Sequence, residues 1–403
     1  MKLSEILKSR GYVYQHSSET LEELTDGEKR TVYLGVDPTA DSIHVGNLAV
    51  YMLLRRFADA GHKVILVIGG GTGMIGDPKP DVERPLLSIE EIEARSTKLK
   101  KQTQKLLGDV DVEMVNNADW LMRLNLIEFL RDTGKHFTVN SLIKKDAINA
   151  RMESEEGISY TEFSYPLLQA YDFWHLFREY GCDVQIGGSD QWGNIVAGVD
   201  LIRRKEGKTA YALTLPLITD KATGKKFGKS EGNAIWLDPE KTSPYAFYQF
   251  WLNASDEGVE DHLKLFTLLS DEEISSIQSE HSADPGDRIA QRRLALAVTT
   301  LVHGEKEAEK AQKSSAALFG GSLESLDADV SATRVSVGTS IVDALVMTTL
   351  ATSKREARQF IEDGAVSLNG ERVVNRTLES EDFKNGKALL KRGKRNVCVL
   401  TLS

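Results

Sequence analysis

Between residues 32 and 219, short apolar runs with the two-residue period of strands are separated by longer stretches at helical spacing. The strand candidates are Val32–Val36, Val64–Ile68, Val110–Val115, Val184–Gly187 and Tyr211–Leu217. Successive parallel strands need a crossover of a dozen or more residues, usually a helix, so this alternation predicts an α/β domain with a mainly parallel sheet. One intervening helix, Ser88 to Leu107, opens on a Ser88…Glu91 capping box and is heavily charged; it reads as a solvated helix that suggests no chemistry. From about Ser243 to Phe319 the period is helical without strands (Ile289, Leu294, Leu296, Val298, Leu301), which predicts a separate α-helical domain. Gly320-Gly321-Ser322 begins a linker of small and acidic residues that runs to about Val335. In the last segment Ser353…Glu356 forms a second capping box, Gly364 ends that helix, and Val366 and Leu368 alternate into the hairpin signal Asn369-Gly370, so a small α+β module closes the chain. The expected division is residues 1–220, 221–319, a linker 320–335, and 336–403.

The 403 residues carry a formal charge of −10, which argues against a protein that coats nucleic acid uniformly. The sum hides an asymmetry, because residues 336–403 hold 11 Lys and Arg against 8 Asp and Glu. Any grip on a polyanion is therefore expected to be local to that tail. The stretch from Met1 to Lys8 lacks the continuous apolar run of a signal peptide, and the longest apolar run, Leu48 to Leu54, is too short to span a bilayer; the expected compartment is the cytoplasm. Cys182 and Cys398 are far apart and outside any C-x-x-C, so neither a disulfide framework nor a metal site is expected.

Five stretches bear on chemistry. In Tyr33 to Asn47 a strand ends at Asp37-Pro38 and a helix follows, with His44 and Asn47 three apart on its first turn. Unpaired backbone N–H groups and the helix dipole favour a phosphate there, and Gly46 permits close approach. Gly71-Thr72-Gly73-Met74-Ile75-Gly76 fits the dinucleotide fingerprint letter for letter, but Asp77-Pro78 follows at once and forbids the helix that fingerprint needs. What survives is a glycine-lined turn beyond a strand end that leaves Asp77 available to a substrate. Tyr165, Gln169 and Asp172, at i, i+4 and i+7, share one helical face, while Phe173, Leu176 and Phe177 supply packing on the other. Gln185 to Asn194 is a further strand, glycine turn and helix start, of the kind that sits at the carboxyl edge of an α/β sheet where ligands bind. Gly224-Lys225-Lys226-Phe227-Gly228-Lys229-Ser230 falls one residue short of a Walker A loop and has no apolar helix behind it, yet its lysines and glycines suit a pyrophosphate.

Together these stretches resemble the class I aminoacyl-tRNA synthetases. H-V-G-N is similar to their H-x-G-H signature, with Asn47 in place of the last His, and K-F-G-K-S is similar to K-M-S-K-S. Y-L-G-V-D-P-T-A-D-S, T-E-F-S-Y-P-L-L-Q-A-Y-D-F and G-G-S-D-Q-W-G-N narrow the resemblance to bacterial-type tyrosyl-tRNA synthetases. T-S-K-R-E-A-R-Q-F-I-E-D-G-A-V-S-L-N-G looks like the small RNA-binding module at the end of those enzymes.

The resemblance implies a Rossmann-like catalytic domain, a helical anticodon-arm domain, and an RNA-binding module. It implies activation of L-tyrosine by ATP with Mg2+ and transfer to tRNA(Tyr), with no tightly bound cofactor, no membrane and no DNA partner. Carried over by motif, His44, Asn47, Lys226, Lys229 and Ser230 are catalytic. Tyr33, Asp77, Tyr165, Gln169, Asp172 and Gln191 hold tyrosine, with Tyr165 and Gln169 near its ammonium and Tyr33 and Asp172 near its phenol. Gly35, Asp37, Gly46, Gly188, Asp190, Phe227 and Gly228 join the catalytic set around ATP, and Lys354, Arg355 and Arg358 are expected to meet tRNA. A homodimer is implied through the segment near 119–155, with a helix Asp119–Asp132 presenting Trp120, Leu121, Leu124, Ile127 and Leu130, and with Lys135–Phe137. A nucleotidyltransferase would explain the first motif alone, and a non-catalytic RNA-binding accessory protein the tail alone.

Overall fold

The structure, a computed structural model, describes residues 1–79, 84–154, 157–219, 221, 224, 227–230, 233–320, 332–348, 350–393 and 396–402. Two compact units divide it: residues 1–241 with 254–290, and residues 242–253 with 291–403.

The first unit is built on a sheet of order β1-β6-β5-β2-β3-β4, from β1 (Gln15–His16), β2 (Thr31–Val36), β3 (Lys63–Ile68), β4 (Val112–Asn116), β5 (Val184–Gly188) and β6 (Tyr211–Leu215). β2 to β6 pair in parallel, and the two-residue β1 adds an antiparallel edge to β6 that the sequence pattern does not show. The chain builds outward from β2 through β3 to β4, then returns to the other side of β2 with β5 and β6. The sheet thus reverses its winding between β2 and β5, which opens a crevice at their carboxyl ends. Val32, Tyr33 and Leu34 are all buried rather than alternately so, because helices cover both faces of a central parallel strand.

Helices α1 (Leu3–Ser9), α2 (Leu21–Thr25), α3 (Val45–Asp59), α4 (Ile89–Leu107), α5 (Ala118–Leu121), α6 (Leu126–Asp132), α7 (Val139–Leu142), α8 (Asp146–Glu153), α9 (Tyr160–Tyr180) and α10 (Trp192–Glu206) connect and flank these strands. α4 has the expected Ser88–Glu91 capping box. The single helix expected over Asp119–Asp132 is instead α5 and α6, because Asn125 interrupts it and caps α6, accepting from the Ile127 and Glu128 N–H groups at 3.0 and 3.2 Å. α6 has no buried residue, whereas Trp120 on α5 is in the core. β6 ends at Leu215, before Pro216, which cannot donate to the sheet.

The second unit combines α11 (Pro244–Leu252), α14 (Ile289–His303) and α15 (Glu305–Gly320) with the C-terminal module; α12 (Val259–Phe266) and α13 (Asp271–Ala283) belong to the first unit. Its sheet is built from β9 (Ala332–Val335), β10 (Val366–Leu368), β11 (Glu371–Arg372), β12 (Lys387–Arg392) and β13 (Asn396–Leu402) in the order β11-β10-β12-β13-β9, and carries α16 (Ile341–Met347) and α17 (Lys354–Glu362) around Ile341, Leu345, Ala357, Val366, Leu390 and Leu400. Ala317 on α15 packs with Leu389 and Val399. Asn369-Gly370 makes the hairpin, with positive φ at both residues as a two-residue turn of this type requires.

Candidate functional site

Two adjoining cavities occupy the crevice. The inner one is lined by Tyr33, Gly35, Asp37, Thr72, Asn117, Tyr165, Gln169, Asp172, Gln185 and Gln191. The outer one, about 440 Å3, takes in His44, Gly46, Asn47, Asp77, Arg84, Gly188, Asp190 and Phe227.

Helix α9 brings Tyr165, Gln169 and Asp172 to the crevice as their spacing predicts, while Phe173 and Leu176 go into the core. Asp172 is fully enclosed: Trp120 Nε1 donates to its Oδ1 at 2.7 Å and Asn117 Nδ2 to its Oδ2 at 2.8 Å. Asn117 also donates to Thr72 Oγ1 (2.9 Å), Thr72 donates to Asp37 Oδ1 (2.7 Å), and the Tyr165 hydroxyl donates to Asp37 Oδ2 (2.9 Å). One continuous hydrogen-bonded chain therefore joins the two carboxylates. Burial disfavours their charged forms and outweighs the donors, pushing Asp172 up to about 7 and Asp37 up to about 6. A second chain runs from Gln169 Nε2 to Gln191 Oε1 (3.3 Å), then from Gln191 Nε2 to Asp77 Oδ2 (2.8 Å), with Asn194 Nδ2 donating to Asp77 Oδ1 (3.1 Å). Burial likewise raises Asp77.

Against this saturation, three buried polar atoms of the inner wall make no hydrogen bond: the Tyr33 hydroxyl, Gln169 Oε1 and Gln185 Oε1. Each such atom costs on the order of 1–3 kcal/mol unless a ligand meets it. The glycine run after β3 is explained by proximity: a Cβ on Gly69 would lie 1.9 Å from Asp37 Oδ1, so only glycine lets the turn close over that carboxylate. Beyond it there is a single 3-10 turn, Thr72–Met74, and not the helix of a dinucleotide site.

The outer cavity is made by turns. His44 is the N-cap of α3 and Asn47 lies exposed within its first turn. The segment after the lysine loop is zipped onto this turn. Val45 N–H donates to Ile235 O and Leu237 N–H to Ile43 O, both at 2.9 Å, and His44 bridges Trp236. Ile235 N–H in turn donates to Gly228 O (3.1 Å). Gly228, at φ +83°, lies so close that a Cβ there would be 2.8 Å from Gly46 N; the two glycines make the approach possible. The Phe227 ring anchors the loop, 4.5 Å from His262 and 5.4 Å from Phe266 between ring centroids. Lys229–Ser230 (β7) pairs with Asn233–Ala234 (β8). Lys226 lies outside the described residues, as do the side chains of Lys229 and Ser230.

The comparisons with known proteins agree with this geometry. The family model described as tRNA synthetases class I (W and Y) matches residues 25–320, and that of the tyrosine–tRNA ligase SYY-like C-terminal domain matches residues 322–400. This chain belongs to the class I tryptophan and tyrosine tRNA synthetase family. It is 48% identical over 418 residues to the tyrosine–tRNA ligase of Roseiflexus castenholzii, covering 98% of each chain. It is 49% identical over 411 residues to that of Staphylococcus epidermidis, covering 98% of this chain and 97% of the other. Among solved structures, a C-terminally truncated mitochondrial tyrosyl-tRNA synthetase from Aspergillus nidulans superposes with a TM-score of 0.70 at 32% identity, over 77% of this chain and 92% of that one.

Within this synthetase framework the motif residues of the crevice converge, and several wall residues went unread in the sequence. Asn117 carries no motif of its own, Thr72 and Gln185 lie within glycine-turn stretches without being singled out, and Trp120, expected at a dimer face, instead donates to Asp172. Arg84, whose Nε donates to the Asp77 carbonyl at 3.2 Å, also borders the outer cavity. The solvated helix α4 has a structural role at the site after all: Gln102 Oε1 accepts from Ile43 N–H at 2.8 Å and Arg95 donates to Thr39 O at 2.9 Å, fixing the turn that ends at His44. The synthetase's C-terminal module presents Lys354, Arg355 and Arg358 exposed on α17, with Lys354 Nζ paired to Asp343 at 2.7 Å. Arg392 stacks on Phe360 at 4.7 Å nearby on the same module. No helix among the described residues is long and apolar enough to cross a membrane.

Proposed function

We propose that the chain activates L-tyrosine with ATP and transfers the tyrosyl group to tRNA(Tyr). The observation that carries this reading is the set of unpartnered polar atoms, Tyr33 hydroxyl, Gln169 Oε1 and Gln185 Oε1, in an inner cavity walled by Asp37 and Asp172, with Asp77 at the adjoining outer one. A small amphiphilic ligand with an apolar ring, a hydroxyl at one end and an ammonium at the other complements such a wall. The phenol would lie between Tyr33 and Asp172, and the ammonium against Tyr165, Gln169, Gln191 and Asp77.

The tyrosine carboxylate is then directed toward the outer cavity. It attacks the α-phosphorus of ATP, an oxygen–phosphorus bond forms as the bond to pyrophosphate breaks, and the terminal ribose hydroxyl of tRNA later displaces AMP from the carbonyl. The carboxylate needs no activation. The protein's contribution is alignment and compensation of the charge that grows on the departing phosphates, a role that suits His44 and Asn47 at a helix N-terminus together with Lys226, Lys229 and Ser230. Gly35, Asp37, Gly46, Gly188, Asp190, Phe227 and Gly228 would shape the nucleotide bed, with ATP taken as its magnesium complex.

The locally basic module at 336–403 is suited to grip tRNA phosphates through Lys354, Arg355 and Arg358, behind a linker that follows an acidic remainder which keeps non-specific binding low. We further propose a homodimer in the cytoplasm. Leu126 and Ile127 on α6 are 67% and 70% exposed, and Met122 and Val139 of the same segment are exposed too, apolar surface that a second copy would cover. A monomer mass at micromolar concentration in sedimentation would refute the dimer.

ATP–pyrophosphate exchange with each amino acid in turn tests the central claim. Exchange that depends on tyrosine is expected. Exchange independent of any amino acid would favour a plain nucleotidyltransferase, and none at all an RNA-binding accessory protein.

A further inference from the structure

Helix α8 lines neither cavity, yet both of its ends reach Asp77. At its N-cap, Lys145 Nζ donates to Gly193 O and, at 3.3 Å, to Asn194 Oδ1. Because the Asn194 oxygen is taken by the ammonium, its amide nitrogen is turned to Asp77 Oδ1, 3.1 Å away. Asn194 is buried, so the opposite amide orientation would set a nitrogen against the lysine and an oxygen against the carboxylate. At the other end Arg151 and Glu162 form an ion pair at 3.0 Å with side chains only 3% and 2% exposed. Glu162 Oε1 accepts from Arg84 N–H at 3.3 Å, and Arg84 Nε donates to the Asp77 carbonyl. One end of α8 thus orients the side chain of Asp77 and the other anchors its main chain. Burial lowers the Lys145 ammonium to about 8, with Asp77 opposing that shift, so it is charged at neutral pH and faces the carboxylate across one amide.

We propose that Lys145 is a positioning residue for tyrosine binding, which acts through Asn194 to hold Asp77 in the orientation that receives the substrate's ammonium. The inference rests on the assignment of Asp77 to that ammonium. Lys145 lies in the segment near 119–155 that the family resemblance links to dimerisation, and nothing in its own motif marks it as part of the site.

The test uses two competitive inhibitors of tyrosine-dependent pyrophosphate exchange on the full chain: tyramine, which keeps the ammonium and phenol, and 3-(4-hydroxyphenyl)propionate, which keeps the phenol and carboxylate. In Lys145→Met the KM for tyrosine and the Ki for tyramine should each rise roughly tenfold, as expected on losing one charge-assisted hydrogen bond. The kcat of exchange and the Ki of the propionate should stay within about twofold, and Lys145→Arg, which keeps a charged donor, should recover most of the loss. Equal weakening of both inhibitors, or of neither, overturns the role of Lys145. Asp77→Asn separates the two claims. If it fails to weaken tyramine selectively, the assignment of Asp77 is wrong; if it succeeds while Lys145→Met does not, only the Lys145 inference falls. Should Lys145→Met not fold, Lys145→Gln is measured in its place and judged by the same criteria.

Discussion

The inner and outer cavities meet at Asp37 and Tyr165 but are made in different ways. The inner wall comes from the middle of a long helix and the ends of strands, and Asp172 is held by two donors from Asn117 and Trp120. The outer wall comes from a helix N-terminus and a loop, joined largely by main-chain hydrogen bonds through Val45, Ile235 and Leu237. The contrast suits the chemistry proposed for each. Discriminating one side chain by a hydroxyl needs buried polar groups that cannot adapt to a wrong ligand. Stabilising charge that appears on phosphates during reaction needs donors that can meet it as it develops, which backbone N–H groups and lysines on a loop supply.

The largest expected effect would separate the two regions. Lys229→Ala should slow adenylate formation on the order of a hundredfold or more in pre-steady-state assays, while tyrosine binding changes by no more than about threefold. Comparable losses in both would show that the regions do not divide the work in this way.

Asp172→Asn should lower kcat/KM for tyrosine by roughly a hundredfold, since the buried carboxyl proposed to meet the phenol is replaced by a group of the wrong polarity. The same variant carries a stability signature. Because folding raises Asp172 to about 7, the folded protein holds this proton where the unfolded chain, near 4, has lost it. The stability due to that proton is present below about pH 4 and disappears as pH rises through about 7. The variant lacks this dependence, so the difference in Tm, variant minus parent, should move upward between pH 5 and pH 8. A constant difference would mean that Asp172 is ionised throughout.

Trp120→Phe sharpens the comparison at smaller scale. It leaves Asp172 Oδ1 without its donor and should weaken tyrosine binding roughly tenfold with little change in the ATP KM. A larger effect on ATP would mean that the network transmits into the outer cavity. Smallest of all, Asn47→His should stay within about tenfold of parental exchange activity, because one exposed donor replaces another at the mouth. A collapse in rate would show that Asn47 has a more specific partner.

Period and punctuation in the sequence determined the α/β class, five of the sheet's strands to within a few residues, the capping box of α4, the Ser353 cap of α17 (where Glu356 accepts from Thr352 and leaves the expected box open), and the hairpin at Asn369-Gly370. These are local properties, set by side-chain alternation and by residues that stabilise one backbone geometry within three or four positions. The face shared by Tyr165, Gln169 and Asp172 was legible for the same reason, since helical spacing fixes it without reference to the rest of the chain. The break between α5 and α6 was hidden because Trp120, Leu121, Leu124, Ile127 and Leu130 keep a helical period across it, and only Asn125 in its cap geometry reveals the interruption.

Tertiary structure alone decided what surrounds each motif. Asn117 is 55 residues from Asp172, Gln102 is 59 from Ile43, and Lys145 is 49 from Asn194. No short-range pattern records those pairings, because they arise where crossover connections return separate segments to one end of the sheet. The raised proton affinities of Asp37 and Asp172 belong to the same category. A carboxylate in a sequence has an ordinary affinity; burial without a neutralising charge, which exists only once the chain has closed around it, moves that affinity toward neutrality.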